Sequence, residues 1–250
     1  MSGSGPPDAS PPVGWLLISD VDDTLTGDDD ALARLAEAVA QRTPRLTVAL
    51  NSSRPAASVD ATLEKVFPES FGYRAVITAM GTQVRVDGQF VTQWLERFAG
   101  WPRRAIAEVV TSLGHRAHDE EYQTPHKASF AVPAGPAQDE VRSALAAADL
   151  PCRIIASGSD DLDILPPGGG KDHATLFLAE HLGVDPARRL VVAGDSANDL
   201  AMFQVSGRSV AVGNARDELL QAMPADTSYH ARAASAGGVL EGLEHFGVWN

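Results

Sequence analysis

The chain has 250 residues, 44% of them hydrophobic, and carries 33 acidic residues against 20 Lys and Arg, a formal net charge of −13. That length and apolar content suffice for a sizeable core, in one large domain or two small ones. The charge argues against nucleic acid or an anionic membrane surface as partner, because neither is attracted to an acidic protein.

Met1 to Gly14 is rich in Ser, Gly and Pro and has neither a basic n-region nor an apolar h-region, so residues 1–14 are expected to form a disordered tail, not a signal peptide. No run of about 18 apolar residues suited to a membrane span occurs. Cytoplasm is the expected compartment. The apolar run Trp15-Leu16-Leu17-Ile18 then predicts a buried strand that delivers Asp20 and Asp22 to its C-terminal mouth. Carboxylates there are costly unless they bind a cation or do chemistry; the alternative is an Asx-turn or a helix N-cap. Asp28-Asp29-Asp30 reads as an N-cap and first turn for a helix over Ala31 to Gln41, whose Leu32, Leu35, Ala36 and Val39 share one face.

Leu46 to Leu50 predicts a second strand ending in Asn51-Ser52-Ser53-Arg54-Pro55, where hydroxyls and free backbone N–H groups suit phosphate oxygens. Val59 to Phe67 is again helical, and the alternation implies a right-handed parallel sheet covered on both faces. The rhythm breaks at Gln83 to Val91, where Asp87-Gly88 between β-branched residues signals a hairpin. A helix near Arg103 to Leu113, a strand over Lys127 to Pro133, a helix over Gln138 to Ala148 and a strand over Cys152 to Ala156 follow. Gly168-Gly169-Gly170-Lys171 then leads into a helix, and Val191-Val192-Ala193-Gly194 predicts a strand ending in Asp195, with Asp199 beyond. The organisation expected is a Rossmann-like α/β parallel-sheet core, 15–84 and 167–250, with a mixed α/β cap domain, 85–166, inserted.

Ligands of open α/β sheets bind outside the carboxyl ends of the strands, so two neighbouring strands would gather Asp20, Asp22, Asp195 and Asp199. Four acids in one place repel unless a cation sits among them, and hard oxygen donors suit Mg²⁺. Lys171 reads either as a solvated lysine at a helix start or as one reaching over the sheet edge; Asp172 after it breaks the P-loop pattern. Glu120, Tyr122, Gln123, His126 and Lys127 read either as a set of sugar-reading groups or as a polar loop before an edge strand. His115 and His118 lack a third ligand of fixed spacing and read as surface histidines.

Asp20-x-Asp22-x-Thr24, then Ser52, then Lys171, then Gly194-Asp195-x-x-x-Asp199, in this order, resemble the haloacid dehalogenase superfamily of phosphohydrolases. Leu17 to Thr24, Thr78 to Thr82, Gln123 to Lys127, Leu162 to Pro166, Gly213 to Leu220 and Ala236 to Glu241 are similar to the sucrose-phosphate phosphatase family, which includes mannosylfructose-phosphate phosphatase, over about residues 15 to 247. Asn51-Ser52-x-Arg54 leans toward the mannosylfructose branch. The resemblance implies Asp20 as a nucleophile forming an aspartyl-phosphate and Asp22 as general acid and then base. It implies Ser52, Ser53 and Lys171 as phosphate-binding residues. Mg²⁺ would be held by Asp20, the Asp22 main-chain carbonyl and Asp195, with Asn198 and Asp199 behind them. Arg54, Gln123 and Lys127 are implied in substrate binding.

A small-molecule sugar phosphate is the partner this implies: sucrose 6-phosphate first, mannosylfructose phosphate second. Another sugar phosphate or a glycosyl-glycerate phosphate is the enzymatic alternative, and a phosphosugar-binding protein the non-enzymatic one. Three departures from the family pattern bear on the site: Ser53 and Asp172 stand where Gly is usual, and Asp23 where Asn or Gly is frequent.

Overall fold

The structure, a computed structural model, describes residues 14–249; the expected tail lies, apart from Gly14, outside the described residues. Strands are β1 (Trp15–Ser19), β2 (Leu46–Asn51), β3 (Ala75–Thr78), β4 (Gln83–Val86), β5 (Gln89–Phe90), β6 (Arg116–Ala117), β7 (Ala128–Ala131), β8 (Arg153–Ser157), β9 (Asp161–Leu165), β10 (Leu190–Gly194), β11 (Ser209–Ala211) and β12 (Ser228–His230). Helices are α1 (Asp29–Ala40), α2 (Ala56–Val66), α3 (Thr92–Glu96), α4 (Arg103–Ser112), α5 (Pro136–Ala147), α6 (Lys171–His181), α7 (Pro186–Arg189), α8 (Leu200–Val205), α9 (Asp217–Ala222) and α10 (Ser235–His245). None of the described helices is long and apolar enough to cross a membrane.

One sheet has eight strands in the order β12-β11-β10-β1-β2-β3-β4-β5, parallel from β12 to β3, with β4 and β5 antiparallel at the edge. Its central strands are apolar throughout because both faces are covered. Leu17 packs with Leu32 and Leu35 of α1, Leu63 of α2 and Val239 and Leu243 of α10. Its neighbours Leu16 and Ile18 point the other way, toward Leu178 of α6 and Met202 and Phe203 of α8. Asp28 caps α1 by accepting from Ala31 N at 2.9 Å, and Asp29 and Asp30 occupy its first turn, where acids suit the helix dipole.

The second sheet is antiparallel, β6-β7-β9-β8. Its strands alternate. Ala128, Phe130, Leu162 and Ile164 pack on Ile106 and Val110 of α4 and Val141 and Leu145 of α5. The intervening Ser129, Asp161 and Asp163 therefore project from the opposite, polar face. That polar face looks toward the C-terminal ends of the large sheet.

The hairpin expected at Asp87-Gly88 forms, both residues having the positive φ (50° and 79°) that a type I′ turn needs. It does not, however, belong to an inserted unit. Residues 85–90 extend the large sheet, because the free edge of β3 pairs with β4 and Arg85 forms an ion pair with Asp60 of α2. The small sheet begins only at β6.

Helix α10 lies so close to β11 that a Cβ on Gly242 would fall 2.3 Å from Val210 Cγ2. Gly242→Ala is therefore expected to lower stability by about 1–3 kcal/mol through overpacking, read as a fall in Tm, with Val210→Ala in the same chain recovering part of the loss. A Tm equal to that of the parent would contradict the close approach.

Candidate active site

Strand β1 lies between β10 and β2, with Ser19 paired to Ala193 on one side and to Leu50 on the other. The residues that follow each strand thus emerge side by side. Asp20 continues the ladder, its N–H donating to Ala193 O at 2.9 Å, while Ser52 N donates to Ile77 O at 2.9 Å and Asp195 follows Gly194. Asp20, Ser52 and Asp195 are all buried.

Lys171, the first residue of α6, lies beneath them and is 1% exposed. Its ammonium donates to Asp20 Oδ1 at 2.5 Å, Asp199 Oδ1 at 2.7 Å and Asn198 Oδ1 at 2.9 Å, so all three of its donors are engaged. It is held protonated: burial opposes the charge, but the Asp199 and Asp20 carboxylates outweigh burial and raise its pKa. Asp199 is also saturated, since Oδ2 accepts from Asp195 N at 3.1 Å and Ser196 N at 3.2 Å in a capping box. A Cβ on Gly194 would lie 2.5 Å from that of Asp199, so only glycine lets this side chain tuck beneath the strand end.

Asp20, Asp195 and Asp199 each offer an oxygen within 4.8 Å of the others. Three buried carboxylates against one ammonium leave two negative charges uncompensated. Burial pushes the Asp20 carboxyl well above the usual range, with Lys171 as the main opposing influence. Burial, reinforced by Asp199, pushes Asp195 up to about 6. Hard oxygen donors carrying that surplus charge fit a divalent cation such as Mg²⁺. Because Asp199 is already filled by Lys171 and two backbone N–H groups, Asp20 and Asp195 are the carboxylates free to take it. Asp195 is oriented by Thr24, whose hydroxyl donates to its Oδ1 at 3.3 Å.

Asp22 sits at the cleft mouth with its side chain half exposed, and Arg54 Nε donates to its Oδ2 at 2.8 Å. The guanidinium is anchored on α2 through Nη1, 3.0 Å from Ser58 Oγ and from Thr62 Oγ1, whereas the buried Nη2 has no hydrogen-bond partner among the described residues. Ser53 does not occupy the positive-φ region, so its replacement of glycine carries no backbone strain; Asp23 does, at φ 58°, as Asp tolerates.

A cavity of about 370 Å³ lies between this loop and the polar face of the small sheet, lined by Ser53, Arg54, Tyr122, Lys127, Ser157 and Asp163 among others. Its lysine is paired with a carboxylate. Lys127 Nζ lies 3.0 Å from Asp163 Oδ1 and donates to Ser53 O at 3.2 Å, and His118 Nε2 lies 2.9 Å from Asp161 Oδ1.

The structure therefore gathers Asp20, Asp22, Ser52, Ser53, Arg54, Lys171, Asp195, Asn198 and Asp199 at one sheet end, and brings Lys127 to the cavity. Gln123 is a correction. Its Oε1 accepts from Arg103 Nη2 and Ser129 N, both at 3.0 Å, and its Nε2 donates to His118 O at 3.0 Å and Ser129 O at 2.8 Å. With donors and acceptor spent on Arg103, His118 and Ser129, it does not line this cavity. Conversely His118, read as a surface residue, lines the cavity, as do Ser129, Ser157 and Asp161. The available signal for Ser129 and Asp161 was the two-residue alternation of polar and apolar positions in their strands.

The model of the sucrose-6F-phosphate phosphohydrolase family matches residues 14–247. A mannosylfructose-phosphate phosphatase from Agrobacterium fabrum is 34% identical in an alignment of 245 residues that covers 93% of this chain and 97% of that protein. Sucrose-phosphatase 1 of Nicotiana tabacum is 32% identical over 83% of this chain, which spans about half (49%) of the tobacco protein's length. The Synechocystis sucrose-phosphatase, solved in complex with sucrose and phosphate, superposes with a TM-score of 0.84 at 29% identity, covering 94% of this chain and 98% of that one. Haloacid dehalogenase-like hydrolases of lower identity share the fold. A match that spans both sheets and every strand end of the site leaves one conclusion: the chain belongs to the sucrose-6F-phosphate phosphohydrolase family, whose members are phosphoric monoester hydrolases.

Proposed function

We propose that the chain is a Mg²⁺-dependent phosphatase that hydrolyses a disaccharide phosphate through an aspartyl-phosphate on Asp20. The observation that carries this reading is the contact of Asp20 with the buried Lys171 ammonium at the end of β1, beside Asp195 and beneath a polar cavity. Asp20 attacks phosphorus as a carboxylate, the bond from phosphorus to the sugar oxygen breaks, and Asp22 protonates the departing alcohol. Asp22 then takes a proton from water as that water displaces the Asp20 carboxylate, releasing orthophosphate. Such an acid and base contributes about 10²–10⁴-fold. Ser52, the Ser53 backbone and Lys171 hold the phosphoryl oxygens. A bound Mg²⁺, on Asp20, Asp195 and the Asp22 carbonyl, would neutralise charge so that a carboxylate can meet a phosphate dianion.

Residues from α4 to Leu165 act as the cap that excludes water and reads the sugar. The pairing of Lys127 with Asp163 and of Arg54 with Asp22 supports a neutral, hydroxyl-rich occupant over a carboxylate-bearing one. Arg54 Nη2, buried and without a partner among the described residues, offers a donor to a sugar oxygen. The names of the relatives support sucrose 6-phosphate and mannosylfructose phosphate as the first substrates to try.

Phosphate release is expected to favour these two over trehalose 6-phosphate and hexose monophosphates by several orders of magnitude. Asp20→Asn is expected to remove it by on the order of 10⁴-fold or more. Equal, slow release from every compound would reject the disaccharide reading, and release independent of Asp20 would reject the mechanism.

Stability without Mg²⁺ should depend on pH in a stated direction. Asp195 titrates at about 6 in the folded protein against an ordinary value of 3.8, and Asp20 is displaced the same way. Between those values the folded state holds protons that the unfolded chain has released, so these groups make stability fall as pH rises through that window. With EDTA present, Tm is expected to drop between pH 5 and pH 7, and to drop less in Asp195→Asn; added Mg²⁺ is expected to raise the Tm of the parent at pH 7 more than at pH 5. An Asp195→Asn protein with the full pH dependence would contradict the assignment.

A further inference from the structure

The link Pro166 to Gly170, by which the chain returns from the small sheet to the large one, ends at Lys171 and is gripped from two sides. On the core side, a Cβ on Gly81 would lie 2.2 Å from Gly170 O, and one on Gly169 would lie 3.2 Å from Thr82 Cγ2. On the other side stands Arg153 of β8. Its Nη1 donates to Gly169 O at 3.0 Å and to Asp172 Oδ1 at 2.7 Å. A Cβ on Gly170, whose φ is +133°, would fall 2.3 Å from Arg153 Nη1 and 2.5 Å from Asp172 Oδ1. The ion pair thus closes directly over the backbone that precedes Lys171. It is shielded, the two side chains being 28% and 16% exposed, so it is less screened than a surface pair.

We propose that Arg153 is a positioning residue for phosphoryl transfer: its ion pair with Asp172 across Gly170 fixes the start of α6 and through it the Lys171 ammonium. This rests on reading the site as a phosphatase centre. The Lys171 ammonium serves three acceptors from two loops, and its backbone is the point from which all three are reached. A shift of about 1 Å in such a group can cost on the order of 10²-fold in rate. Asp172, which stands where the family usually has glycine, is on this view one half of a two-residue device whose other half belongs to the small sheet. Arg153 sits opposite Leu165 in the β8–β9 register, at the strand end from which the link departs, and so ties that sheet to the lysine.

The test is a double-mutant cycle on the full chain with Mg²⁺ and sucrose 6-phosphate, or whichever disaccharide phosphate the parent hydrolyses best. Arg153→Met keeps the packing of the stem, Asp172→Ala removes the acceptor, and kcat, KM and Tm are measured for each and for the pair. Each single change is expected to lower kcat about tenfold with KM within about twofold, and the double to be no slower than the slower single, because both remove the contact between Arg153 and Asp172. Arg153→Lys, which keeps the charge and can serve only one acceptor well, is expected to fall between parent and Arg153→Met. It decides the matter if Arg153→Met does not fold. Losses that multiply in the double, or a lowered Tm with kcat unchanged, would overturn the positioning role while leaving the phosphatase reading intact. A parent without Asp20-dependent phosphate release would overturn both.

Discussion

A single ammonium group, that of Lys171, holds the site together. Buried among Asp20, Asp199 and the Asn198 amide, it is the protein cation that keeps carboxylates from neighbouring strand ends within reach of one another. Pairs of this kind repay their desolvation only when geometry and remaining hydrogen bonds are well met, so much else is committed to meeting them. Gly194 makes room for Asp199, and Asp199 in turn draws in the N–H groups of Asp195 and Ser196. The Asn51 amide donates to Lys171 O and Thr175 Oγ1, both at 3.4 Å, beneath the lysine. The apolar strands of the large sheet supply the rigidity, and the polar residues at their ends form one connected network.

Charge is managed on two scales. The chain as a whole is strongly acidic, and the catalytic end of the sheet is more acidic still, with two negative charges beyond what Lys171 offsets. On the proposed reading an anionic substrate is received there with a cation in place, which would make metal and substrate loading interdependent. The cavity facing the small sheet is different in kind, its lysine and its arginine each being paired with a carboxylate. On the same reading, one wall of the cleft would take the phosphate and the other the remaining group.

The strands that carry the chemistry were legible because they are buried on both faces. β1, β2 and β10 read as continuous apolar runs cut short by acids or hydroxyls. β3, β11 and β12 were not, since three or four residues are too few to display a period. The turn at Asp87-Gly88 was evident, but not the sheet it joins, because the pairing of β4 with β3 is a tertiary choice. Polarity at Gln123 was visible and its direction was not: the guanidinium it accepts from belongs to Arg103, at the start of α4, 20 positions earlier. Asp172 read only as a departure from the family pattern because its partner lies 19 positions away, on β8 of the small sheet.

The small sheet has two unlike faces, and each strand contributes to both in alternation. The residues that hold its helices and those that line the cleft are adjacent in sequence, yet they point in opposite directions. Asp161, on the polar face, can thus be replaced without disturbing the apolar cluster behind it. Mutation can explore new leaving groups on one wall while selection for folding and for hydrolysis acts elsewhere, so this architecture allows substrate choice to drift among relatives whose reaction stays the same.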